Sequence, residues 1–149
     1  MKNNLSIKTT LALLILLLSV TGSVAQDRNT IFGKWKTIDD DTGEVKSIVE
    51  ISKRNGKAYG TIKELFRDPD ERQDPICVEC TDHRKDQKVI GMEIITGMEK
   101  DGDEWEDGEI LDPENGKVYD CKIWVEEGKL KVRGYIAFLY RTQTWLPVK

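Results

Sequence analysis

The chain has 149 residues and carries 23 Lys and Arg against 27 Asp and Glu, which gives a formal net charge of −4 at pH 7. A chain of this length is typical of a single domain. The acidic balance and the lack of a basic cluster argue against nucleic acid and anionic membrane surfaces as partners, because both bind through positive charge.

The first 25 residues have the pattern of a secretory signal peptide. Two lysines near the start are followed by the short apolar run Leu11–Val20, and small residues precede Gln26. A membrane span needs roughly 18 apolar residues, and this run is shorter. We therefore predict cleavage near Ala25, and an exported domain, periplasmic or secreted, that spans residues 26–149 and contains no membrane span. Cleavage would remove two lysines and no acid, changing the formal charge from −4 to −6.

After Gln26, short runs rich in Val, Ile, Trp and Tyr alternate with turn dipeptides. The dipeptides are Asn55-Gly56, Asp101-Gly102, Asn115-Gly116 and Glu127-Gly128. Such dipeptides between β-prone runs indicate successive antiparallel hairpins. We predict about eight strands, near Gly33–Ile38, Val45–Lys53, Lys57–Phe66, Val89–Met98, Trp105–Leu111, Lys117–Glu126, Lys129–Ala137 and Thr142–Val148.

Side-chain alternation supports this prediction at two hairpins, those with turns at Asn55-Gly56 and Glu127-Gly128. A two-residue turn fixes which residues face each other, and successive side chains point to opposite faces. In both hairpins one face is then apolar and the other charged. The predicted pairs on the apolar faces are Val49 with Ile62, Ile51 with Gly60, Cys121 with Gly134, Ile123 with Val132, and Val125 with Leu130.

A meander of eight strands with one apolar face must bury that face, and no helical pattern is present that could cover it. Closing the sheet on itself is the simplest solution. We therefore predict an all-β fold, a small antiparallel up-and-down β-barrel of about eight strands. A two-sheet β-sandwich is the alternative.

Seven segments spread over the chain carry a family resemblance. They are "FGKWKT", "DDDTGEVKSIVEI", "GKAYGTI", "IGMEIITGM", "DPENGKVYDCKI", "LKVRGYIAF" and "RTQTW". In this order they resemble the bacterial domain-of-unknown-function 2147 family. The resemblance covers essentially the whole chain after the predicted signal peptide, and it implies an exported β domain.

The tripeptide Gly33-x-Trp35 also resembles the first-strand motif of lipocalins. In that family the tryptophan plugs the closed end of the barrel and an arginine late in the chain packs across it. The resemblance implies the same roles for Trp35 and Arg141 and a lipocalin-like barrel. Since a cation–aromatic contact contributes about 0.5 to 2 kcal/mol without any ligand, we expect this pair to close the barrel rather than to bind.

About twenty polar residues separate the third and fourth predicted strands, and they include Cys77, Cys80 and His83. Three cysteines in an exported chain favour a disulfide. Either Cys77 or Cys80 could bond to Cys121, which closes a loop of about forty residues and stabilises by roughly 4 kcal/mol. A local bond between Cys77 and Cys80 is the other pairing.

A structural zinc site is the main rival to the disulfide. Cys77, Cys80, His83 and Cys121 supply the ligand types and number of a Cys3His site, with no position left for water. An oxidising compartment competes for the thiols, so we predict a disulfide and no cofactor. A thiol-exchange centre at Cys77-x-x-Cys80 is disfavoured, because no helix is predicted there to lower a thiol pKa.

The first predicted hairpin contributes the candidate ligand site. Uninterrupted pairing places Ser47 opposite Glu64 on the apolar face, with Phe66 beyond them. A polar group in an apolar cup is how ligand cavities fix orientation, so these three residues are the predicted binding residues. The alternative is that Glu64 lies at the barrel mouth and reaches water.

The sequence contains no Ser-His-Asp order, nucleotide fingerprint or phosphate loop, and its single histidine leaves little for nucleophilic catalysis. We therefore predict no catalytic residues and a non-catalytic binding protein for a small hydrophobic or amphipathic ligand, roofed by the loop Arg67–Lys88. The alternative is a structural or protein-interaction module of the cell envelope that has no small ligand.

Overall fold

A computed structural model describes residues 29–149, and the predicted signal peptide lies outside them. This part of the chain forms eight β-strands and no helix, so no helix within it is long and apolar enough to cross a membrane. The strands are β1 Gly33–Ile38, β2 Val45–Arg54, β3 Lys57–Leu65, β4 Glu93–Asp101, β5 Glu104–Asp112, β6 Lys117–Glu126, β7 Lys129–Ile136 and β8 Leu139–Pro147.

The eight strands form one closed antiparallel barrel in the order β1 to β8. Each strand pairs with its neighbour in sequence, and β8 pairs back to β1 through Trp35 with Pro147 and Lys36 with Leu146. Closure leaves the apolar face of the sheet inside, where it is shielded from water without a covering helix. The predicted up-and-down barrel is confirmed, and the alternative β-sandwich is wrong.

The pairing of β6 with β7 agrees with the predicted register at every position that the turn defined. Ile123, Leu130 and Val132 are buried inside the barrel, while Lys122 and Arg133 lie on its outer face. The apolar side chains of β6 and β7 therefore face the interior and the charged ones face the solvent. This is the arrangement that the register set by the two-residue turn at Glu127-Gly128 predicts.

The two ends of the barrel differ in their connections. One end, which we call the closed end, has three turns of two residues, at 55–56, 102–103 and 127–128. The other end, which we call the mouth, has three longer connections and one two-residue turn. They are residues 39–44, 66–92, 113–116 and 137–138.

Aromatic side chains fill the closed end. Trp35 is fully buried, and its indole Nε1 donates a hydrogen bond of 2.7 Å to the carbonyl oxygen of Ile31. Phe32 meets Trp105 edge to face, with ring centroids 5.3 Å apart. The segment that precedes β1 thus folds beneath the barrel, and Trp35 lies where the lipocalin resemblance implies.

The predicted contact of Arg141 with Trp35 is wrong. β8 begins at Leu139, three residues earlier than predicted, because the chain turns at Ala137, which adopts a left-handed conformation with φ 52°. This early turn places Arg141 near the mouth, where its exposed guanidinium forms an ion pair with Asp40. The tryptophan at the closed end is held by the backbone of its own chain segment instead.

Candidate functional site

A cavity of about 920 Å³ opens at the mouth and extends into the barrel. Buried apolar side chains from several strands form its inner wall, with Trp145 near the far end of β8. The other buried apolar residues on this wall include Ile62, Ile94, Leu111 and Val132. Ligand pockets in proteins commonly enclose about 300 to 1,000 Å³, so the space is large enough for a small organic molecule.

The polar groups along this wall already hydrogen-bond to one another. The hydroxyls of Ser47 and Thr37 lie 2.7 Å apart. Gln143 accepts a hydrogen bond of 3.2 Å from the indole Nε1 of Trp145 and donates one of 3.1 Å to Asp40 Oδ2. Because these groups satisfy each other, the deeper part of the cavity offers mainly apolar surface to a ligand.

The predicted pairing of Ser47 with Glu64 is wrong. A β-bulge at Lys63 of β3 shifts the register between Ile48 and Val49, so Ser47 lies opposite Leu65. Glu64 therefore lies opposite Ile48 and is exposed, outside the set of residues that line the cavity. A bulge adds one residue to one strand, and that extra residue exchanges the two faces beyond it.

The other two predicted binding residues do line the cavity. Ser47 is buried, and Phe66 lies at the rim with 46% of its surface exposed. Leu65 occupies the wall position that was predicted for a carboxylate, which makes this side of the cavity more apolar than expected. No glycine or proline lies among Ile62, Lys63 and Glu64, where β3 has its extra residue, so the sequence offered no signal for Leu65.

The connection between β3 and β4, residues 66–92, forms part of the wall at the mouth. Pro75, Val78 and Val89 from this segment line the cavity. Ile76 pairs with Lys88 in an isolated antiparallel bridge, which folds the segment back on itself as a short hairpin. The loop that was predicted as a roof is therefore an ordered element beside the cavity.

A disulfide joins Cys77 to Cys80 within this loop, and both residues are buried. The local pairing is thus the one formed, and the predicted bond from the loop to Cys121 is wrong. Cys121 is a buried free thiol that lies between Gly108 and Gly134 on the neighbouring strands. Burial raises the pKa of the Cys121 thiol to about 12, so it stays protonated at neutral pH.

The four residues of the alternative zinc site are not brought together. Cys77 and Cys80 are bonded to each other, Cys121 lies in the barrel, and His83 lies in a separate surface groove next to Arg84. Within residues 29–149, no group of three or more His, Cys, Asp and Glu side chains could hold a metal ion.

Arg84 anchors the loop to the barrel. Its buried guanidinium donates from Nε to Asp82 Oδ2 over 3.0 Å and from Nη1 to the carbonyl oxygen of Glu93 over 3.2 Å. The hydrogen bonds from the Arg84 side chain and backbone lower the pKa of Asp82 to about 2. This contact ties the segment next to the disulfide to the start of β4.

The chain matches a family model described as "Uncharacterized protein conserved in bacteria (DUF2147)" over residues 33–146. The chain belongs to the DUF2147 family. The matched residues run from the start of β1 to the penultimate residue of β8, so the DUF2147 match covers the barrel described above. The predicted family resemblance is confirmed. No curated protein matches the chain.

The DUF2147 barrel is similar to the solved structure of protein HP1028 from the human pathogen Helicobacter pylori, which is described as belonging to the lipocalin family. The two share 18% sequence identity with a TM-score of 0.67, and the match covers 80% of this chain and 84% of the other. At this identity the similarity establishes the fold alone. The DUF2147 barrel is therefore lipocalin-like, as predicted.

An exposed apolar hairpin tip borders the mouth of the DUF2147 barrel. It consists of Ile136, Phe138, Leu139 and Tyr140 at the turn between β7 and β8. Phe138 is 89% exposed, although phenylalanine side chains in folded proteins are usually buried. Ile136, Leu139 and Tyr140 also line the cavity, so the tip is an exposed apolar surface continuous with the cavity wall.

Proposed function

We propose that this protein is an exported, non-catalytic binding protein that holds a small hydrophobic or amphipathic molecule inside its barrel. The observation that supports this proposal is the cavity of about 920 Å³ with its apolar inner wall and open mouth. Eight-stranded barrels either fill their interior with side chains or hold one small ligand. Here side chains fill only the closed end.

The size of the cavity sets the affinity to expect. A ligand that buries about 300 Å² of apolar surface gains roughly 7 kcal/mol from transfer out of water. Association and ordering costs offset part of this gain, while contacts with the wall add to it. Micromolar binding of apolar molecules is therefore the expected range.

The groups that could act as nucleophiles are occupied or protonated, which supports binding rather than catalysis. The Ser47 hydroxyl shares its hydrogen bond with Thr37 rather than with a base. The Cys121 thiol has its pKa raised by burial, and His83 lies in the surface groove outside the barrel. A lipocalin-like fold is consistent with this assignment.

The binding proposal is tested with N-phenyl-1-naphthylamine, a neutral dye that fluoresces in apolar surroundings. We expect saturable binding by the wild-type protein and at least about a ten-fold weaker affinity for Gly134→Phe. Gly134 lines the cavity, and a Cβ there would meet Tyr119 at an ordinary contact distance of 3.5 Å, so the new ring enters the cavity without a backbone clash.

The matched control is Ser52→Phe, which adds the same ring to an exposed position on β2. Its dye affinity should equal that of the wild type, and circular dichroism should show both variants folded. Absence of saturable dye binding to the wild-type protein would overturn the proposal, as would equal affinity for the two phenylalanine variants.

Export is the second part of the proposal. It is supported by the signal-peptide pattern of the first 25 residues, and by the bond between Cys77 and Cys80, since disulfides persist in oxidising compartments. The protein is expressed with its full N-terminus, and the mass of the periplasmic form is measured. A mass that begins at Gln26 is expected, and retention of residues 1–25 would contradict export with cleavage.

The exposed hairpin tip favours a second candidate function, an envelope module that binds another protein and no small molecule. A protein-binding site of this kind would use Phe138 and Leu139 and leave the cavity unused. The dye experiment separates the two candidates, because an interaction module predicts no saturable dye binding. Phe138→Ser should then abolish partner binding, whereas a ligand-binding barrel keeps its dye affinity in that variant.

A further inference from the structure

The mouth of the cavity carries more negative than positive side chains. Six carboxylates line the cavity against three cationic groups, which leaves an excess of three negative charges. The carboxylates belong to Asp39, Asp40, Asp41, Glu71, Asp112 and Glu114, and the cations are Lys46, Arg67 and Arg141.

The side chain of Lys46 forms ion pairs with two of these carboxylates. Its ammonium nitrogen lies 2.6 Å from Glu114 Oε1 and 3.6 Å from Asp39 Oδ2, so it links two connections of the mouth. Burial by itself lowers the Lys46 pKa, but hydrogen bonding and charge attraction from Glu114 outweigh it, and the pKa is raised overall. The mouth is thus an environment in which an ammonium group keeps its charge.

The other two cations have carboxylate partners of their own. Arg141 pairs with Asp40, and Arg67 Nη2 lies 2.9 Å from Glu71 Oε1. Each of the three cations that line the cavity is thus paired with an acid. Because six carboxylates face these three cations, the mouth keeps an excess of three negative charges.

Carboxylates of the mouth also accept hydrogen bonds from uncharged groups. Asp39 Oδ1 accepts from the backbone N–H of Thr42 over 2.8 Å, and these turn hydrogen bonds lower its pKa. Asp112 accepts from the backbone N–H of Glu114 over 2.9 Å and from Asn115 Nδ2 over 2.8 Å. Such donors hold the carboxylates in place without cancelling their charge.

We propose that the cavity selects an amphipathic molecule whose polar end is positively charged, with its apolar part on the inner wall and its cation among the carboxylates of the mouth. This inference rests on the proposed binding function. A carboxylate-headed molecule of the same length would enter against the excess negative charge. Over roughly 15 to 20 Å in water, each unit charge of the mouth changes the ratio of the cation's affinity to the anion's affinity by about two-fold, so three charges give a preference of about ten-fold.

The test uses two ligands with the same twelve-carbon tail, dodecylammonium and dodecanoate, each below its aggregation concentration. Each displaces N-phenyl-1-naphthylamine from the wild-type protein at low salt. We expect dodecylammonium to bind about ten-fold more tightly than dodecanoate. The preference should shrink as salt is added, because the Debye length falls from about 30 Å at 0.01 M to about 8 Å at 0.15 M.

A matched pair of variants assigns the preference to the mouth. Asp41→Asn/Glu114→Gln removes two exposed negative charges at the mouth, and Asp103→Asn/Glu127→Gln removes two exposed charges at the closed end. In the first variant the ratio of dodecylammonium affinity to dodecanoate affinity should fall about four-fold. In the second variant this ratio should equal that of the wild type. Circular dichroism and urea unfolding should show that both double variants remain folded.

The possible outcomes distinguish the two proposals. If the dye binds but dodecanoate competes as well as or better than dodecylammonium, the charge inference is overturned and the binding function stands. Equal loss of preference in both double variants, or loss in neither, also overturns it, because the mouth charges would not be the cause. If the dye does not bind at all, the proposed function fails, and the inference fails with it.

Discussion

The carbonyl oxygen of Glu79 occupies the space that a side chain on Gly116 would need. This contact seats the loop that contains the disulfide against the turn between β5 and β6. The Sγ of Cys77 lies 3.4 Å from the carbonyl oxygen of Pro113 in the same turn. Two connections of the mouth therefore form one packed unit, and Gly116 is required there for space as well as for its φ of 69°.

We expect Gly116→Ala to destabilise the protein by about 3 kcal/mol, as measured by urea unfolding. The left-handed backbone costs an alanine about 1 kcal/mol, and the forced displacement of the loop costs about 1 to 3 kcal/mol more. Gly43→Ala is the control, since Gly43 has φ 75° but no atom lies within 4 Å of the place that its Cβ would take. Equal losses for the two variants would show that the contact with Glu79 is unimportant.

Removal of the disulfide in Cys77→Ala/Cys80→Ala should cost roughly 2 kcal/mol of folding free energy. The bond joins residues only three apart, so it restricts the unfolded chain much less than a long-range bond does. Unfolding of the wild-type protein with and without a reductant checks this value. The reductant should have no effect on the variant, and an unchanged wild-type midpoint would contradict the prediction.

The Cys121 thiol should react with a thiol reagent only after unfolding. We expect no reaction in the native protein, one thiol in denaturant, and three in denaturant after reduction. Because its pKa is about 12 when folded and near 8.5 when unfolded, only the unfolded state loses the proton in between. Stability should therefore fall as the pH rises from about 9 to about 12, at up to about 1.4 kcal/mol per unit.

Cys121→Ala provides the comparison for that pH dependence. The variant loses side-chain volume and is less stable throughout, but its stability should fall less steeply above pH 9 than that of the wild type. If the two proteins lost stability equally with rising pH, the thiol would have the same pKa in the folded and unfolded states. Measurements are made without reductant, so that the bond between Cys77 and Cys80 stays intact.

Arg84→Met should loosen the loop between β3 and β4. The substitution removes the hydrogen bonds to Asp82 and to the Glu93 carbonyl group and leaves both acceptors without this partner. We expect faster amide exchange across residues 76–88, with a loss of about 2 kcal/mol in local stability. Lys88→Met is the control, because the exposed pair of Lys88 with Asp74 contributes at most about 1 kcal/mol.

The same anchor predicts an acid dependence. The folded pKa of Asp82 is about 2 and lies below its ordinary value of 3.8, so the carboxylate contributes fully above about pH 4. The contribution is lost as the pH falls toward 2, because protonation then removes the acceptor. Amide exchange in the loop should accelerate over this range in the wild type and less strongly in Arg84→Met, which keeps only the backbone hydrogen bond to Asp82. Identical acid profiles would contradict the anchor.

The sequence was sufficient to predict the barrel and the register of its most regular hairpin. Between β6 and β7 the two-residue turn and strict alternation leave a single pairing that buries Ile123 and Val132. The same reasoning held from the Asn55-Gly56 turn as far as Val49 with Ile62. These predictions succeeded because hydrophobic burial and turn geometry both favour the same strand register.

The errors arose where the backbone departs from uniform pairing. The bulge adds the extra residue Lys63 to β3 opposite Ile48 and Val49, and side-chain identity does not mark it. The turn at Ala137 uses a left-handed conformation without the glycine that usually marks one, and so displaced Arg141 to the mouth. The cavity residues Leu65 and Gln143 follow from these two features, so pattern analysis could not assign them.

The contrast between the two ends of the barrel has an evolutionary consequence. Doubling the length of a flexible connection costs only about 0.6 kcal/mol, so the long connections at the mouth tolerate insertions. One residue added to a two-residue turn at the closed end would instead reverse the inner and outer faces of a whole strand. Length variation among relatives should therefore concentrate around the opening, while the short turns of the closed end keep their length.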